Sequence, residues 1–315
     1  MTLTQLSAFV VVARLGSVRA AAETLGVSEP AVSQALAALR QHLGDPLVAR
    51  EHGRMELTPG GQRLLAVAAQ IVALGAEAEA AVRSARGAAD RLRVVSTSTL
   101  AEFVMGPVVD AFERRSAGAV ETTSGVAKGS ELAVLVAQRL ADVALGPRLD
   151  TDPSLGLVSD AVLRGRLVVA ASPDHRPRGA AWSWTWLVGP RGAEHGSDTA
   201  ALLRRLRVPE ANVRVFGTQT AAWDAAAAGA GVAPGPTHLL QPHLRRGDLE
   251  VVPTAATPVT TYWYVTTLRP DRRRVVASSF RQYLQSPDAL SLLSSPVGGV
   301  PPSRFRPPVY VTIWS

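Results

Sequence analysis

SVRAAAETLGVSEPAVSQALAALRQHLG, residues 17–44, predicts two short helices separated by a tight turn. Ser17 can cap the first helix, and Gly26 can end it in a left-handed conformation. Ser28 can cap the second helix, whose first turn accepts Pro30. Because so few residues lie between the two helices, the stretch is typical of a helix-turn-helix.

The second of these helices has two different faces. Its apolar stripe consists of Val32, Leu36, Leu39 and Leu43. The opposite face, near the start of the helix, offers candidate DNA-contacting residues, which are Ser28, Glu29, Pro30, Ser33 and Gln34. In the major groove Gln34 could bind adenine bidentately, and Ser33 could contact a base or a phosphate. The alternative is a small helical core that contacts no DNA.

A short hairpin is predicted after these helices. Residues 47–57 have strand character on either side of a turn at Gly53. Arg50 and Arg54 would then lie in a wing and contact phosphates or the minor groove. Together with a preceding helix, this pattern predicts a winged helix-turn-helix over residues 1–60.

A long helix is predicted over residues 58–87. Thr58 can cap it and Pro59 suits its first position. Apolar or small residues follow at alternating steps of four and three, a seam typical of helix pairing. This seam consists of Leu64, Ala68, Ile71, Gly75, Ala78 and Val82. We expect it to pair with the same helix of a second copy; the alternative is that it packs on its own domain. Residues 84–90 would be the hinge to the next domain.

Strands and helices alternate in the rest of the chain, which predicts an α/β domain with a largely parallel sheet. The predicted strands are residues 92–96, 120–124, 142–145, 167–170, 213–216 and 262–265. Ser98 or Thr99 can cap the helix after the first strand, and a second helix is expected from about Ser130.

Polar residues follow three of these strands, where α/β sheets commonly bind ligands at helix N-termini. The residues are Ser98 and Thr99, then Lys128, Gly129 and Ser130, and finally Gly217, Thr218 and Gln219. Their hydroxyls and the adjacent helix ends would suit a carboxylate or another small anion. The alternative is that they are ordinary helix caps and that Lys128 is a solvated surface lysine.

Composition excludes several classes of function. The 315 residues contain no cysteine, so a disulfide, a thiolate nucleophile and a Cys-ligated metal are excluded. No apolar run is long enough to span a membrane, and the first residues lack the basic start of a secretory signal, so we expect a cytoplasmic protein. The net charge of +7 suits a polyanion, but acidic and basic residues balance within residues 1–60.

The sequence contains no recognisable catalytic constellation, metal site or cofactor motif, and we expect the protein not to be an enzyme. Its six histidines are scattered, and the five-residue step from His238 to His243 does not fit a helical zinc pair. The segment Gly229–Pro234 lacks the third glycine of a dinucleotide loop and suits tight helix–strand packing. The tryptophans 182, 184 and 186 alternate as in a strand, which favours a packed core face over a ligand stack.

The order of these motifs resembles that of the LysR-type transcriptional regulators, densely over residues 3–64 and more weakly to about residue 290. The resemblance rests on Phe9, Gly16-Ser17, Ala20-Ala21-Ala22, Leu25, Ser28, Pro30-Ala31-Val32-Ser33, Leu39, Leu43-Gly44, Leu47, Arg50, Leu57-Thr58-Pro59 and Gly61. The sequence departs from the family pattern at Arg40, Val48 and Gly60, where the family has Glu, Phe and Ala. The second wing arginine, Arg54, also stands one position later than in the family pattern.

The resemblance implies a homodimer, assembled into a homotetramer, that binds double-stranded promoter DNA and a small-molecule effector. RNA polymerase is a further candidate partner. It also implies two periplasmic-binding-protein type 2-like subdomains over residues 91–290, at 91–161 with 266–290 and at 162–265, with the three polar loops bordering the effector cleft. The alternative function is a cytoplasmic metabolite-binding protein without specific DNA binding.

The tail over residues 291–315 lies outside the resemblance. Its prolines argue against a helix, while residues 309–314 could form an edge strand or remain loose. We assign it no role.

Overall fold

The structure, a computed structural model, describes residues 1–51, 54–85, 89–194, 196–295 and 309–310. Its N-terminal part is a winged helix-turn-helix, as predicted. The helices are α1 (Leu3–Leu15), α2 (Val18–Leu25) and α3 (Glu29–Leu43), and the wing strands are β1 (Val48–Glu51) and β2 (Arg54–Leu57). The expected turn at Gly53 lies outside the described residues.

The three helices pack around a fully enclosed apolar core. Phe9 of α1 is completely buried, and Val32, Leu36 and Leu39 face it from the predicted stripe of α3. Leu43 was expected in the same stripe but is 41% exposed. The stripe stops one turn short because Leu43 is the last residue of α3, where Gly44 takes a left-handed φ of 67° and ends the helix.

The long helix α4 (Pro59–Ala85) packs against α1 of its own chain. Ala68 is completely buried in this contact, and a Cβ on Gly75 would lie only 2.9 Å from the side chain of Leu3. The predicted pairing seam is therefore used within the chain from Ala68 to Gly75, because α1 lies along that face. Among the described side chains of α4, the large apolar ones that are exposed are Val67 and Leu74, which lie off the seam, and Val82, at its end.

A compact hydrogen-bonded junction joins the helix-turn-helix to α4. The carboxylate of Asp45 accepts the Leu47 backbone N–H at 2.6 Å and the Thr58 hydroxyl at 2.7 Å. These two hydrogen bonds hold the pKa of Asp45 below its usual value. A Cβ added to Gly60 would lie 2.1 Å from a carboxylate oxygen of Asp45. A Cβ added to Gly61 would lie 2.0 Å from the backbone carbonyl oxygen of Leu47. The departure from alanine at Gly60 therefore makes room for Asp45.

The first half of the α/β region, here called lobe I, has a parallel three-stranded centre with strand order β4-β3-β5. Its leading helix runs through a π-helical segment, Ala101–Met105. The elements are β3 (Asp90–Ser96), α5 (Ser98–Leu100), α6 (Gly106–Arg115), β4 (Val120–Val126), α7 (Gly129–Ala137) and β5 (Val143–Gly146). Residues 142–145 and 120–124 thus form strands close to the predicted limits.

Two long antiparallel strands connect lobe I to the second half, lobe II. They are β6 (Leu157–Ala171) and β11 (Val259–Leu268), and their pairing shifts register between Trp263 and Tyr264. Such a bulge bends the strands at that point. Because β6 and β11 run antiparallel to each other and to their other partners in the sheet, the sheet is mixed, and the expectation of a largely parallel sheet was wrong.

Lobe II packs further short strands and helices on the far half of β6, and α11 and α12 return to lobe I. The lobe II elements are β7 (Trp186–Val188), α8 (Asp198–Arg205), β8 (Val213–Val215), α9 (Gln219–Ala227), β9 (Ala233–Pro236), α10 (Thr237–Arg246) and β10 (Glu250–Val252). The final helices are α11 (Val275–Leu284) and α12 (Pro287–Ser294), and a two-residue strand, β12 (Val309–Tyr310), pairs with β4.

The tryptophan segment does not form the strand expected over residues 182–186. Trp186 begins β7 and is completely buried, whereas Trp182 lies in a 3-10 turn and is 54% exposed. Tight packing at the glycine-rich segment agrees with expectation. A Cβ on Gly231 would lie 2.4 Å from the Thr185 carbonyl oxygen, so the two segments can approach only because the position is glycine.

Gly61→Ala is expected to destabilise the chain by about 1–3 kcal/mol, because its new methyl group meets the Leu47 backbone carbonyl. This cost exceeds the roughly 1 kcal/mol of helix propensity that alanine adds. Gly60→Ala should cost less, since it meets a side chain that can rotate. Urea unfolding followed by circular dichroism measures both, with the uncrowded Gly217→Ala as control. Equal stability of the Gly60 and Gly61 variants would contradict the junction geometry.

Candidate nucleic-acid interface and interlobe cleft

The start of α3 presents a continuous exposed face. Ser28, Glu29, Pro30, Ser33 and Gln34 are all exposed there, opposite the buried stripe. The Ser28 hydroxyl accepts the Ala31 backbone N–H at 3.4 Å and so begins the helix. The structure thus brings together the five residues selected on this helix, at the end of α3 that can enter a groove.

The wing places its two arginines on neighbouring antiparallel strands. In the β1–β2 register Arg50 lies opposite Met55, and Arg54 lies opposite Glu51. Both backbone positions follow α3 in the chain and belong to the same small domain. The roles of their side chains in DNA contact stay predictions.

The first polar loop of the cleft is organised around Thr97, one residue earlier than expected. Thr97, and neither Ser98 nor Thr99, precedes the first helical residue, and its side chain does not cap the helix. Its hydroxyl oxygen instead accepts a hydrogen bond from Nη1 of Arg191, in lobe II, at 2.8 Å. The Ser98 hydroxyl is buried and has no hydrogen-bond partner among the described residues.

The second polar loop begins α7 at Gly129, with Lys128 before it and Ser130 exposed. Glu131 accepts the Lys128 backbone N–H at 3.0 Å. Burial raises the pKa of Glu131, and the negative charge of the nearby Glu194 raises it further. Glu194 itself reaches from lobe II and accepts the Gly129 N–H at 3.0 Å.

The third polar loop begins α9 and is held from lobe I. Thr218 caps the helix by accepting the Ala221 N–H at 3.1 Å. The carboxylate of Glu102 accepts the N–H groups of Gln219 at 2.9 Å and Thr220 at 2.8 Å. The Gln219 side chain is buried and donates to the Pro234 carbonyl oxygen at 3.3 Å, so it stabilises the start of α9 against β9.

Carboxylates thus lie at the N-termini of α7 and α9, each supplied by the opposite lobe. Free N–H groups and the helix dipole favour an anion at this end of a helix. Sequence reasoning selected these helix starts but missed Glu102, Glu194 and Arg191. No local motif marks those three residues, since each becomes significant only through its partner on the other lobe.

The described residues offer no metal site and no membrane-spanning helix. No group of three or more His, Asp or Glu side chains there could hold a metal ion, and no helix there combines the length and apolar character that a membrane span needs. Burial lowers the pKa of His238 to about 4, and its ring packs edge-on against Trp263. Nδ1 of His243 lies 3.3 Å from Oδ2 of Asp248. His195 lies outside the described residues.

Two family models match the two parts of the chain. The model described as "Bacterial regulatory helix-turn-helix protein, lysR family" matches residues 3–62. The model described as "LysR substrate binding domain" matches residues 85–287. The matches cover the helix-turn-helix and both lobes.

Similar proteins match over nearly the whole chain. An uncharacterised HTH-type transcriptional regulator from Mycobacterium tuberculosis is 31% identical over 325 aligned positions, covering 100% of both chains. The HTH-type transcriptional regulator CfxR from Cupriavidus necator is 27% identical, covering 96% of this chain and 97% of its own. The crystal structure of ArgP from Mycobacterium tuberculosis has the same fold, with a TM-score of 0.60 at 23% identity, over 91% of this chain and 96% of that chain.

Glu102→Ala should loosen the contact between the lobes, because two backbone N–H groups at the start of α9 lose a charged acceptor. We expect a loss of about 1–2 kcal/mol of stability and a larger radius of gyration in small-angle X-ray scattering. The control is Glu121→Ala, which removes only an exposed ion pair with Arg91. An unchanged radius of gyration in the Glu102 variant would contradict the bridging role.

Proposed function

Because the chain belongs to the LysR family of transcriptional regulators, with a helix-turn-helix and an effector-binding domain, we propose that α3 reads a specific promoter sequence. Ser33 and Gln34 would contact base edges in the major groove, with Ser28, Glu29 and Pro30 beside them. Arg50 and Arg54 of the wing would contact phosphates or the minor groove. The observation that carries this proposal is the exposed polar face at the start of α3, opposite a fully packed core.

The regulator acts as a dimer in this proposal, with a tetramer formed from two dimers. Its support is the exposed apolar stripe of α4, formed by Val67, Leu74 and Val82. A second copy of α4 would cover this stripe, and the two copies of α3 would then lie one or more duplex turns apart. RNA polymerase is the proposed further partner at the promoter, and the proposed location is the cytoplasm.

The effector occupies the cleft between the lobes in this proposal. Its candidate contacts lie on the three polar loops and are Ser98, Thr99, Lys128, Ser130, Thr218 and Gln219. Binding would favour one relative placement of the lobes and so shift the paired DNA-binding domains. The protein has no catalytic role in this proposal, because the cleft acts through binding alone.

Replacing Ser33 and Gln34 together with alanine should reduce sequence discrimination about 10–100-fold, because the lost contacts are to bases. Binding to a shuffled duplex should change little, since phosphate contacts remain. Fluorescence anisotropy against the DNA upstream of the protein's own gene, beside the shuffled duplex, measures both affinities. Gln41→Ala is the control, because Gln41 is exposed at the other end of α3.

Two outcomes of that measurement would overturn the proposal. Unchanged discrimination in the double variant would show that α3 does not read the bases. If the unaltered protein binds neither duplex at low salt, the alternative of a metabolite-binding protein without specific DNA binding would be preferred.

Leu74→Asp should weaken the dimer at least tenfold, because it places a charge in the centre of the exposed apolar stripe of α4. Analytical ultracentrifugation over a concentration series measures the dissociation constant. Gln62→Asp introduces the same charge on α4 away from the stripe and should leave the dimer intact. If both variants dimerise like the unaltered protein, α4 is not the dimer contact.

A further inference from the structure

Arg191 is a lobe II cation that reaches across to lobe I and, among the described residues, forms no ion pair with a carboxylate. It lies in the 3-10 turn Pro190–Ala193 of lobe II and reaches across to Thr97 of lobe I. Burial lowers the pKa of Arg191, while the charges of Asp198 and Glu194 act in the opposite direction. Among the described residues, no carboxylate forms an ion pair with its guanidinium.

The hydrogen-bonding capacity of Arg191 is largely unused. A guanidinium has five N–H donors, and only the one to the Thr97 hydroxyl is satisfied within the described part of the chain. Removing an arginine from water is costly unless an anion compensates its charge. A planar carboxylate that accepts two parallel N–H groups is the best-matched partner.

The two residues that flank Thr97 in the sequence carry hydroxyls without a hydrogen-bond partner among the described residues. Thr97 is completely buried, and the next residue in the chain, Ser98, has a buried hydroxyl without a described hydrogen-bond partner. Ser96, which precedes Thr97, is also completely buried, and its hydroxyl has no hydrogen-bond partner within the described part of the chain. The residues on either side of Thr97, which Arg191 contacts, therefore carry neutral hydroxyls whose hydrogen-bonding capacity is unused among the described residues.

The N-termini of α7 and α9 already have anions. Glu194 accepts the Gly129 N–H at the start of α7, and Glu102 accepts the Gln219 N–H at the start of α9. A ligand anion at either helix would have to displace a carboxylate of the protein. At Arg191 it would instead meet a guanidinium that, among the described residues, forms no ion pair with the nearby Asp198 or Glu194.

The neighbouring acids also limit the charge that such a ligand can carry. Glu194 lies close enough to Glu131 to raise its pKa, and it acts electrostatically on Arg191 as well. A doubly charged phosphate or sulfate beside these acids would be repelled more strongly than a single carboxylate.

We propose that Arg191 receives the anionic group of the effector, and that this group is a singly charged carboxylate held by the guanidinium and the Ser98 hydroxyl. This inference rests on the proposed function of the cleft and names the chemical class of its ligand. Arg191 then determines specificity, because its planar pair of donors matches a carboxylate.

Thermal unfolding of the full-length protein tests the proposal with simple probes. Acetate, propionate, lactate and butyrate are each added at about 20 mM, with chloride at equal ionic strength as reference. At least one monocarboxylate should raise the Tm by about 2–4 °C, and more than phosphate or sulfate does. Failure of every monocarboxylate, or a larger effect of phosphate or sulfate, overturns the proposal.

Variants then locate the binding group. Arg191→Gln should abolish the carboxylate-dependent shift, and Arg191→Lys should weaken it, because lysine cannot bind bidentately. Ser98→Ala should reduce it without altering the basal Tm strongly. Arg205→Gln, at an exposed arginine of lobe II, should keep the full shift. Circular dichroism establishes that each variant is folded, and Arg191→Lys carries the test if Arg191→Gln does not fold.

The outcomes separate this inference from the proposed function. If Arg191→Gln and Arg191→Lys respond to carboxylates like the unaltered protein, Arg191 is not the receptor, although specific DNA binding by the same variants would leave the regulator proposal standing. Loss of the carboxylate response with unchanged promoter binding supports both proposals.

Discussion

The first backbone N–H groups of α7 and α9 have no acceptors within their own helices, and carboxylates of the opposite lobe satisfy them. This requirement sets the arrangement of the cleft. Glu194 of lobe II lies at the start of α7, and Glu102 of lobe I lies at the start of α9, so each lobe completes a helix of the other. The bridges also use up the helix ends that would otherwise attract a ligand anion. Among the described residues, Arg191 is consequently a cleft cation that keeps most of its N–H donors available.

The architecture gives this cleft a mechanical connection to the DNA-binding domain. β6 and β11 cross between the lobes and carry a bulge next to Trp263, where the strands can bend. On the other side, one continuous apolar cluster contains Phe9 of the helix-turn-helix core together with Leu132 and Val136 of α7. A ligand that favours one lobe arrangement would therefore act on α7, which is packed into the same cluster as the DNA-binding domain. Such a ligand must bind that arrangement more tightly than the other.

Local sequence was a good guide wherever a structure depends on near neighbours. Ser28, Pro30 and Gly44 begin and end α3 as expected, because caps act within one turn of helix. Local sequence predicted less well where the packing partner of a residue lies far away in the chain. The seam of α4 was expected to meet a second copy, but Ala68 packs in the chain's own core. The strand expected at Trp182 is a 3-10 turn, since alternation of aromatic residues does not decide which of them the fold buries.

By itself, the sequence determined the winged helix-turn-helix, the α/β character of the rest, the exposed polar face at the start of α3 and the position of the three polar loops. These features follow from periodicity, caps and short turns, which operate over a few residues. Only the tertiary structure decided that Gly60 accommodates Asp45, that the sheet is mixed, and that Glu102, Glu194 and Arg191 face the cleft. The physical reason is that a charge acquires its meaning from burial and from its partner, and those partners lie far away in the chain.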